Sequence, residues 1–117
     1  MLLSDERHKE LNIPWSTEID LINVTYKNLF EAAGNDVDTI KERLIEYLAI
    51  IYETYGKDVC IVPVEYLNYV CGMCSTNFGY RDFRHAFGEF QSRYSVIVHE
   101  CCPKKDWCLD YLLIQKE

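Results

Sequence analysis

The sequence feature that most constrains the fold is a change of hydrophobic period close to Ser95. Over residues 79–94, aromatic side chains recur at helical spacing, which predicts a helix with one aromatic face. These side chains are Phe83, Phe87, Phe90 and Tyr94. From Ser95 to Glu100 apolar residues alternate, residues 103–106 have the composition of a turn, and residues 107–114 have that of a returning strand. A helix followed by a two-stranded β-hairpin is therefore predicted.

Three further helices and a short strand are predicted before this region. A helix over 16–34 is capped by Ser16 or Thr17 and stopped by Gly34. A helix over about 39–55 is apolar on nearly all sides, which is typical of a central helix. Val59–Val62 has the composition of a buried strand that pairs with the hairpin, and a helix follows over 63–74. Residues 1–15 form a polar N-terminal arm.

The order of these elements is that of a winged helix, in which two motif helices are closed by a hairpin. The predicted fold class is therefore α+β, mostly helical, with the winged-helix core at 38–114 and an additional N-terminal helix at 16–34. A length of 117 residues suits a single domain, here 16–117, beyond the arm at 1–15. The chain is 49% hydrophobic and 26% charged, which favours a globular domain over a disordered chain.

The five residues Phe-Gly-Tyr-Arg-Asp at 78–82 lie at the start of the second motif helix, the one predicted over 79–94, and the hairpin follows that helix. In this respect residues 39–114 resemble the LOTUS family of winged helices, which occur in germline RNA-regulating proteins. Winged helices attached to replication-origin ATPases share a similar order of elements. The LOTUS resemblance implies a non-enzymatic adaptor. Some family members bind a DEAD-box RNA helicase through a helix added after the hairpin, and others without that helix are associated with RNA binding. We expect no such helix after Ile114, so the helix over 16–33 would have to replace it in helicase binding.

Charge is distributed unevenly along a chain whose net charge is −7. The segment 79–105 is the net-basic part, and its basic side chains suggest binding to RNA or single-stranded nucleic acid. The candidate residues are Arg81, Arg84, His85, Arg93, Lys104 and Lys105. The alternative interpretation is the solvated face of an amphipathic helix together with a polar turn. The overall acidity favours that alternative, because backbone phosphates dominate nucleic-acid affinity.

Apolar helical surface exceeds what one small core needs, which favours a protein partner. The candidate partner-binding residues lie on the N-terminal helix and the first motif helix. They are Ile22, Tyr26, Phe30, Tyr66 and Tyr69. The same apolar surface would also suit a homodimer. The alternative interpretation places most of these rings in the core with a polar edge.

A zinc site is the sharpest chemical hypothesis, and zinc is the one cofactor that the sequence suggests. Two cysteines three positions apart, Cys71 and Cys74, have the spacing of half a zinc site, and His99 and residues near the hairpin could complete it. The candidate ligands are Cys71, Cys74, His99 and Cys101, with Cys102 and Cys108 as further options. Buried free thiols are the first alternative, and a disulfide is the second.

Catalytic motifs are missing from the sequence: it has no Gly-rich phosphate loop, nucleophile elbow or pair of metal-binding histidines. We therefore expect a non-enzymatic protein. No apolar run approaches the roughly 20 residues needed to span a bilayer, and the charged first ten residues do not form a signal peptide. We expect an intracellular protein, cytoplasmic or nuclear, without membrane binding.

Overall fold

A computed structural model describes residues 3–11, 16–55, 59–71, 78–101 and 110–116. Within these ranges the chain is mostly helical and carries a small three-stranded antiparallel sheet. The α+β fold class is thus confirmed. The elements are α1 Asp5–Leu11, α2 Thr17–Ala33, α3 Val37–Tyr55, β1 Val59–Val62, α4 Val64–Cys71, α5 Tyr80–Tyr94, β2 Val96–Cys101 and β3 Asp110–Gln115. The predicted turn at 103–106 lies outside the described residues.

Helix α2 begins and ends where the sequence predicted. The Ser16 Oγ accepts a hydrogen bond from the Glu18 N–H at 3.2 Å and so caps the first turn. Gly34 ends the helix with φ +61°, a conformation that glycine adopts without strain, and its N–H donates to the Glu31 carbonyl at 3.2 Å. One stripe of α2 is buried against α3 and α4, and consists of Ile19, Asn23, Tyr26 and Phe30.

Helix α3 is the centre of the molecule, as its apolar composition predicted. In the first turn of α3, the Thr39 hydroxyl donates a hydrogen bond at 2.8 Å to the carboxylate of Asp36, the residue that precedes the helix. Further along, buried side chains occupy several sides of the helix: Ile40, Leu44, Ile45, Tyr47, Leu48, Ala49 and Ile51. Both α2 and α5 pack on α3, so its apolar sides are covered by separate elements.

The sheet has the strand order β1–β3–β2, with β3 antiparallel to both neighbours. On β2 the alternation follows the predicted pattern, because Val96 is buried whereas Ile97 and His99 are exposed. At the sheet edge the Val98 N–H donates to the Gln91 side-chain oxygen of α5 at 2.8 Å. A side chain of α5 thus occupies one backbone N–H of the edge strand β2, so this N–H is less available for pairing with another strand.

Helix α1 lies in the segment that the sequence predicted only as a polar arm. Arg7 of α1 reaches the body through its Nε, 2.8 Å from Glu65 Oε2, and its Nη2, 2.5 Å from Asp110 Oδ1. The same Asp110 oxygen accepts a hydrogen bond from the Val64 N–H at 3.0 Å, at the start of α4. Leu3 is buried in the common core. Polar contacts with distant parts of the chain therefore attach α1 to the rest of the fold. The spacing of apolar residues does not indicate such contacts.

The aromatic face of α5 is buried along most of its length. Phe83 and Phe90 are fully buried, and Phe87 packs against Tyr111 of β3 with ring centroids 4.8 Å apart. Tyr94 departs from the prediction, since 42% of its side chain is exposed while its ring stacks on Phe90 at 5.2 Å. The reason is its position in the last turn of α5, at the rim of the core.

Candidate functional site

The basic side chains predicted on α5 meet in a cleft between α3 and α5. The cleft has a volume of about 570 Å³, is open to solvent, and is lined by Lys41, Arg84, His85, Gly88, Glu89, Ser92 and Arg93. Arg81 is exposed on the same helix but does not line the cleft. Lys104 and Lys105, the predicted contacts at the hairpin tip, lie outside the described residues. The structure therefore brings together three of the six predicted residues and adds Lys41.

Two carboxylates neutralise much of the positive charge of this cleft. The Arg93 guanidinium donates to both Glu42 oxygens, at 3.0 and 2.9 Å, and to Glu89 at 2.9 Å. The Lys41 ammonium lies 2.7 Å from the other Glu89 oxygen. Hydrogen bonding from Arg93 lowers the pKa of Glu42, and hydrogen bonding from Lys41 lowers the pKa of Glu89, so both acids are ionised at neutral pH.

This network of two cations and two carboxylates links α3 to α5 and has no net charge. The local sequence does not indicate this network, because Arg93 and Glu42 are separated by 51 residues and no short-range pattern pairs them. Arg84 and His85 supply the remaining basic character of the cleft. The cleft is therefore less favourable to phosphate than its list of basic residues suggested.

The residues predicted to bind a protein partner belong mainly to the core. Tyr26, Phe30 and Tyr66 are buried, and burial raises the pKa of Tyr66 to about 12. Ile22 is partly buried against the core, and Tyr69 is partly buried with the Lys27 ammonium 4.5 Å from its ring centroid. Three of the five predicted side chains are therefore part of the core and not of the surface, because the apolar stripe of α2 packs on α3 and α4.

The opposite side of α2 carries the exposed apolar surface. Leu21 is 66% exposed, the highest value among the large apolar side chains described, and Val24 one turn later is 44% exposed. We call the exposed positions of this helix the α2 outer face: Thr17, Glu18, Leu21, Val24, Thr25, Asn28, Glu31 and Ala32. Only Glu18 and Glu31 among them are charged. The sequence signal for this face was available, since Leu21 and Val24 lie off the apolar stripe of α2.

Cys60 and Cys71, whose side chains the structure describes, are a buried and a partly buried thiol. Cys60 is buried, and its burial raises the pKa to about 11. The Cys71 thiol donates to the Leu67 carbonyl at 3.2 Å, and burial around the sulfur raises its pKa to about 12. Neither thiol forms a disulfide, and the raised pKa keeps both protonated at neutral pH.

Two of the four predicted zinc ligands, Cys71 and His99, have side chains that the structure describes. His99 is exposed on β2, and the side chains of Cys74 and Cys101 lie outside the described part. Among the residues that are described, no three or more His, Cys, Asp or Glu side chains are placed to hold a metal ion. Binding at Cys71 would also require its raised pKa to be overcome, because a metal binds the thiolate.

Comparisons with protein-family models, with curated proteins and with solved structures found no match for this chain. Among the helices of the described ranges, none is both long and apolar enough to span a bilayer. The α2 outer face and the cleft between α3 and α5 are the two candidate binding surfaces in the described part of the chain.

Proposed function

We propose that this chain is a non-enzymatic winged-helix adaptor that binds a protein partner through the α2 outer face. The order α3, β1, α4, α5, β2, β3 and the strand order β1–β3–β2 support the winged-helix assignment. The resemblance to the LOTUS family supports a role for this adaptor in an intracellular assembly that regulates RNA or handles nucleic acid. In this proposal the winged-helix body supports α2 rigidly, and α2 presents the binding surface.

The observation that carries the proposal is the exposure of Leu21 beside Val24. Helix α2 already buries one stripe in the core, so its stability does not require apolar residues on the opposite side. Covering the exposed two thirds of Leu21 would contribute about 1–2 kcal/mol to association. A single exposed leucine is common on protein surfaces, but here Val24, Thr25 and Asn28 continue an uncharged surface from Leu21 over about two turns, between Glu18 and Glu31.

Affinity capture from the native source tests this proposal. We expect the wild-type chain to recover a protein that Leu21→Asp does not recover, because the substitution places a charge in the centre of the apolar contact. Ile97→Asp is the matched control, since Ile97 is another exposed apolar residue but lies on β2. Circular dichroism would verify that both variants fold. Recovery of the same protein by Leu21→Asp would contradict the proposal.

A second candidate function is binding to RNA or single-stranded nucleic acid in the cleft between α3 and α5. The convergence of Arg84, His85, Arg93 and Lys41 on one cleft favours it. Fluorescence anisotropy with labelled single-stranded RNA at low salt tests it, with Arg84→Glu as the disruptive variant. Arg43→Glu is the control, because Arg43 pairs with Glu46 and does not line the cleft. Equal affinity of the two variants, or no detectable binding, would remove this candidate.

A further inference from the structure

We infer that the partner on the α2 outer face is an amphipathic helix of a different protein, with basic residues at both ends of its apolar stripe. This inference rests on the proposed function, and it adds the chemistry of the partner. It also excludes a second copy of this chain as the occupant of the face.

The shape of the face suits a helix. The centre of the face consists of the uncharged side chains Leu21, Val24, Thr25 and Asn28, and the small Thr25 lets a partner backbone approach closely. Leu21, the most exposed of the large apolar side chains described, can insert between side chains of a facing helix as a ridge does into a groove. The 17 residues of α2 span about 25 Å, which is the length of contact that such a helix would cover.

The charges of the face define the partner further. Glu18 lies near the beginning of the stripe and Glu31 near its end, about 20 Å apart along the helix axis. Lys27, the cation of this helix, lies over the Tyr69 ring on the side that faces α4. The two ends of the stripe are therefore acidic, and a partner helix with Lys or Arg at both ends would match them.

A second copy of the chain does not match this charge pattern. An antiparallel pair that aligns the whole stripe places Glu18 of one copy opposite Glu31 of the other. A parallel pair places each of these glutamates opposite itself. Both arrangements bring like charges together, and each chain also carries a net charge of −7. Self-association through this face is thus opposed, whereas a basic helix is attracted.

Two synthetic helical peptides of about 18 residues test the inference. They share one Leu/Ala apolar stripe and differ only in having Lys or Glu at the ends of that stripe. Fluorescence anisotropy would measure the dissociation constant of each peptide with the full chain. We expect the Lys peptide to bind on the order of tenfold more tightly at low salt, and the difference to shrink at high salt.

Charge-reversal variants show whether the preference arises from the face itself. The double variant Glu18→Lys with Glu31→Lys should invert the preference, so that the Glu peptide binds more tightly. The control Asp38→Lys with Glu53→Lys changes the net charge equally at exposed positions of α3, and should keep the original preference. Leu21→Asp should abolish binding of both peptides. Equal binding of the two peptides, no binding of either, or a preference insensitive to the first double variant would overturn the inference.

Failure of the inference can be separated from failure of the proposed function. If Leu21→Asp abolishes partner capture but both peptides bind equally, the face remains a binding surface and its charge preference is wrong. Light scattering of the wild-type chain is a further arm, in which we expect a monomer. A dimer that Leu21→Asp dissociates would show a second copy on the face, and would overturn the inference while the face remained functional.

Discussion

Asn23 is a polar side chain buried in the core between α2 and α3. Its Oδ1 accepts a hydrogen bond from the Tyr47 hydroxyl at 2.5 Å, and Tyr26 packs edge-on against the same ring with centroids 5.5 Å apart. Burial raises the pKa of Tyr47 well above its ordinary value, so the phenol stays protonated and can donate. This hydrogen bond joins α2 to α3 inside the core, on the same side of α2 as the buried Ile19, Tyr26 and Phe30.

Removal of the Tyr47 hydroxyl should destabilise the protein. We expect Tyr47→Phe to lower the free energy of unfolding by about 1–3 kcal/mol, because the buried Asn23 oxygen loses its donor. Tyr94→Phe, at an exposed ring, should cost less than about 0.5 kcal/mol. Urea unfolding would measure both, and a double-mutant cycle with Asn23→Ala would isolate the pair. Equal costs at Tyr47 and Tyr94 would refute the assigned role.

The buried thiol of Cys60 should make stability depend on pH in the alkaline range. Its pKa is raised to about 11 from 9.0, so between these values the unfolded chain loses a proton that the native chain retains. The contribution of Cys60 to the free energy of unfolding should therefore be constant below pH 9. From pH 9 to 11 that contribution should fall by up to about 1.4 kcal/mol per pH unit. Urea unfolding at pH 8, 9 and 10 should show a smaller slope for Cys60→Val. Identical slopes would contradict this assignment.

At the scale of elements, three parts of the chain meet around the Asp110 carboxylate. It contacts Arg7 of α1 and the Val64 N–H at the start of α4, and it is itself the first residue of β3. Glu65 holds the other side of the Arg7 guanidinium. Burial, the largest single effect, lowers the pKa of Arg7, but the hydrogen bonds that its guanidinium donates to these two carboxylates, together with their charge, raise the pKa overall. The contact joins α1 to the body across 103 residues of sequence.

Substitution of Arg7 should therefore release α1 and weaken the whole fold. We expect Arg7→Met to lower the free energy of unfolding by about 2–4 kcal/mol, since two mostly buried carboxylates lose their cation. Arg43→Met is the matched control, because Arg43 pairs with Glu46 within α3 and both side chains are more exposed. Its cost should stay below about 1 kcal/mol. Similar unfolding curves for the two variants would show that the Asp110 contact contributes little.

The helices and strands were largely predictable because their signals are local. Ser16, Gly34 and the 3.6-residue spacing define α2, and the alternation after Ser95 defines β2. Helix α1 was not predictable in this way, since Arg7 stabilises it through Glu65 and Asp110 rather than through an apolar stripe. Local periodicity carries no information about such distant polar partners.

At the scale of the whole molecule, the candidate surfaces were harder to predict than the elements. An apolar stripe marks the side of a helix that enters the core, so a partner site assigned to Tyr26 and Phe30 fell on buried residues. The exposed Leu21 becomes meaningful only once α3 and α4 cover the other side of α2. In the same way, Arg93 was assigned to nucleic acid because its carboxylate partner, Glu42, lies on another helix.

The central claim is that the α2 outer face, rather than the cleft between α3 and α5, is the binding surface of this molecule. Site-specific photo-cross-linking in the native source tests it most directly. A photoreactive amino acid would replace Val24 in one variant and His85 in the other, both at exposed positions. We predict a discrete protein cross-link from position 24 and none from position 85. Cross-linking from position 85 alone, to protein or to RNA, would contradict the account.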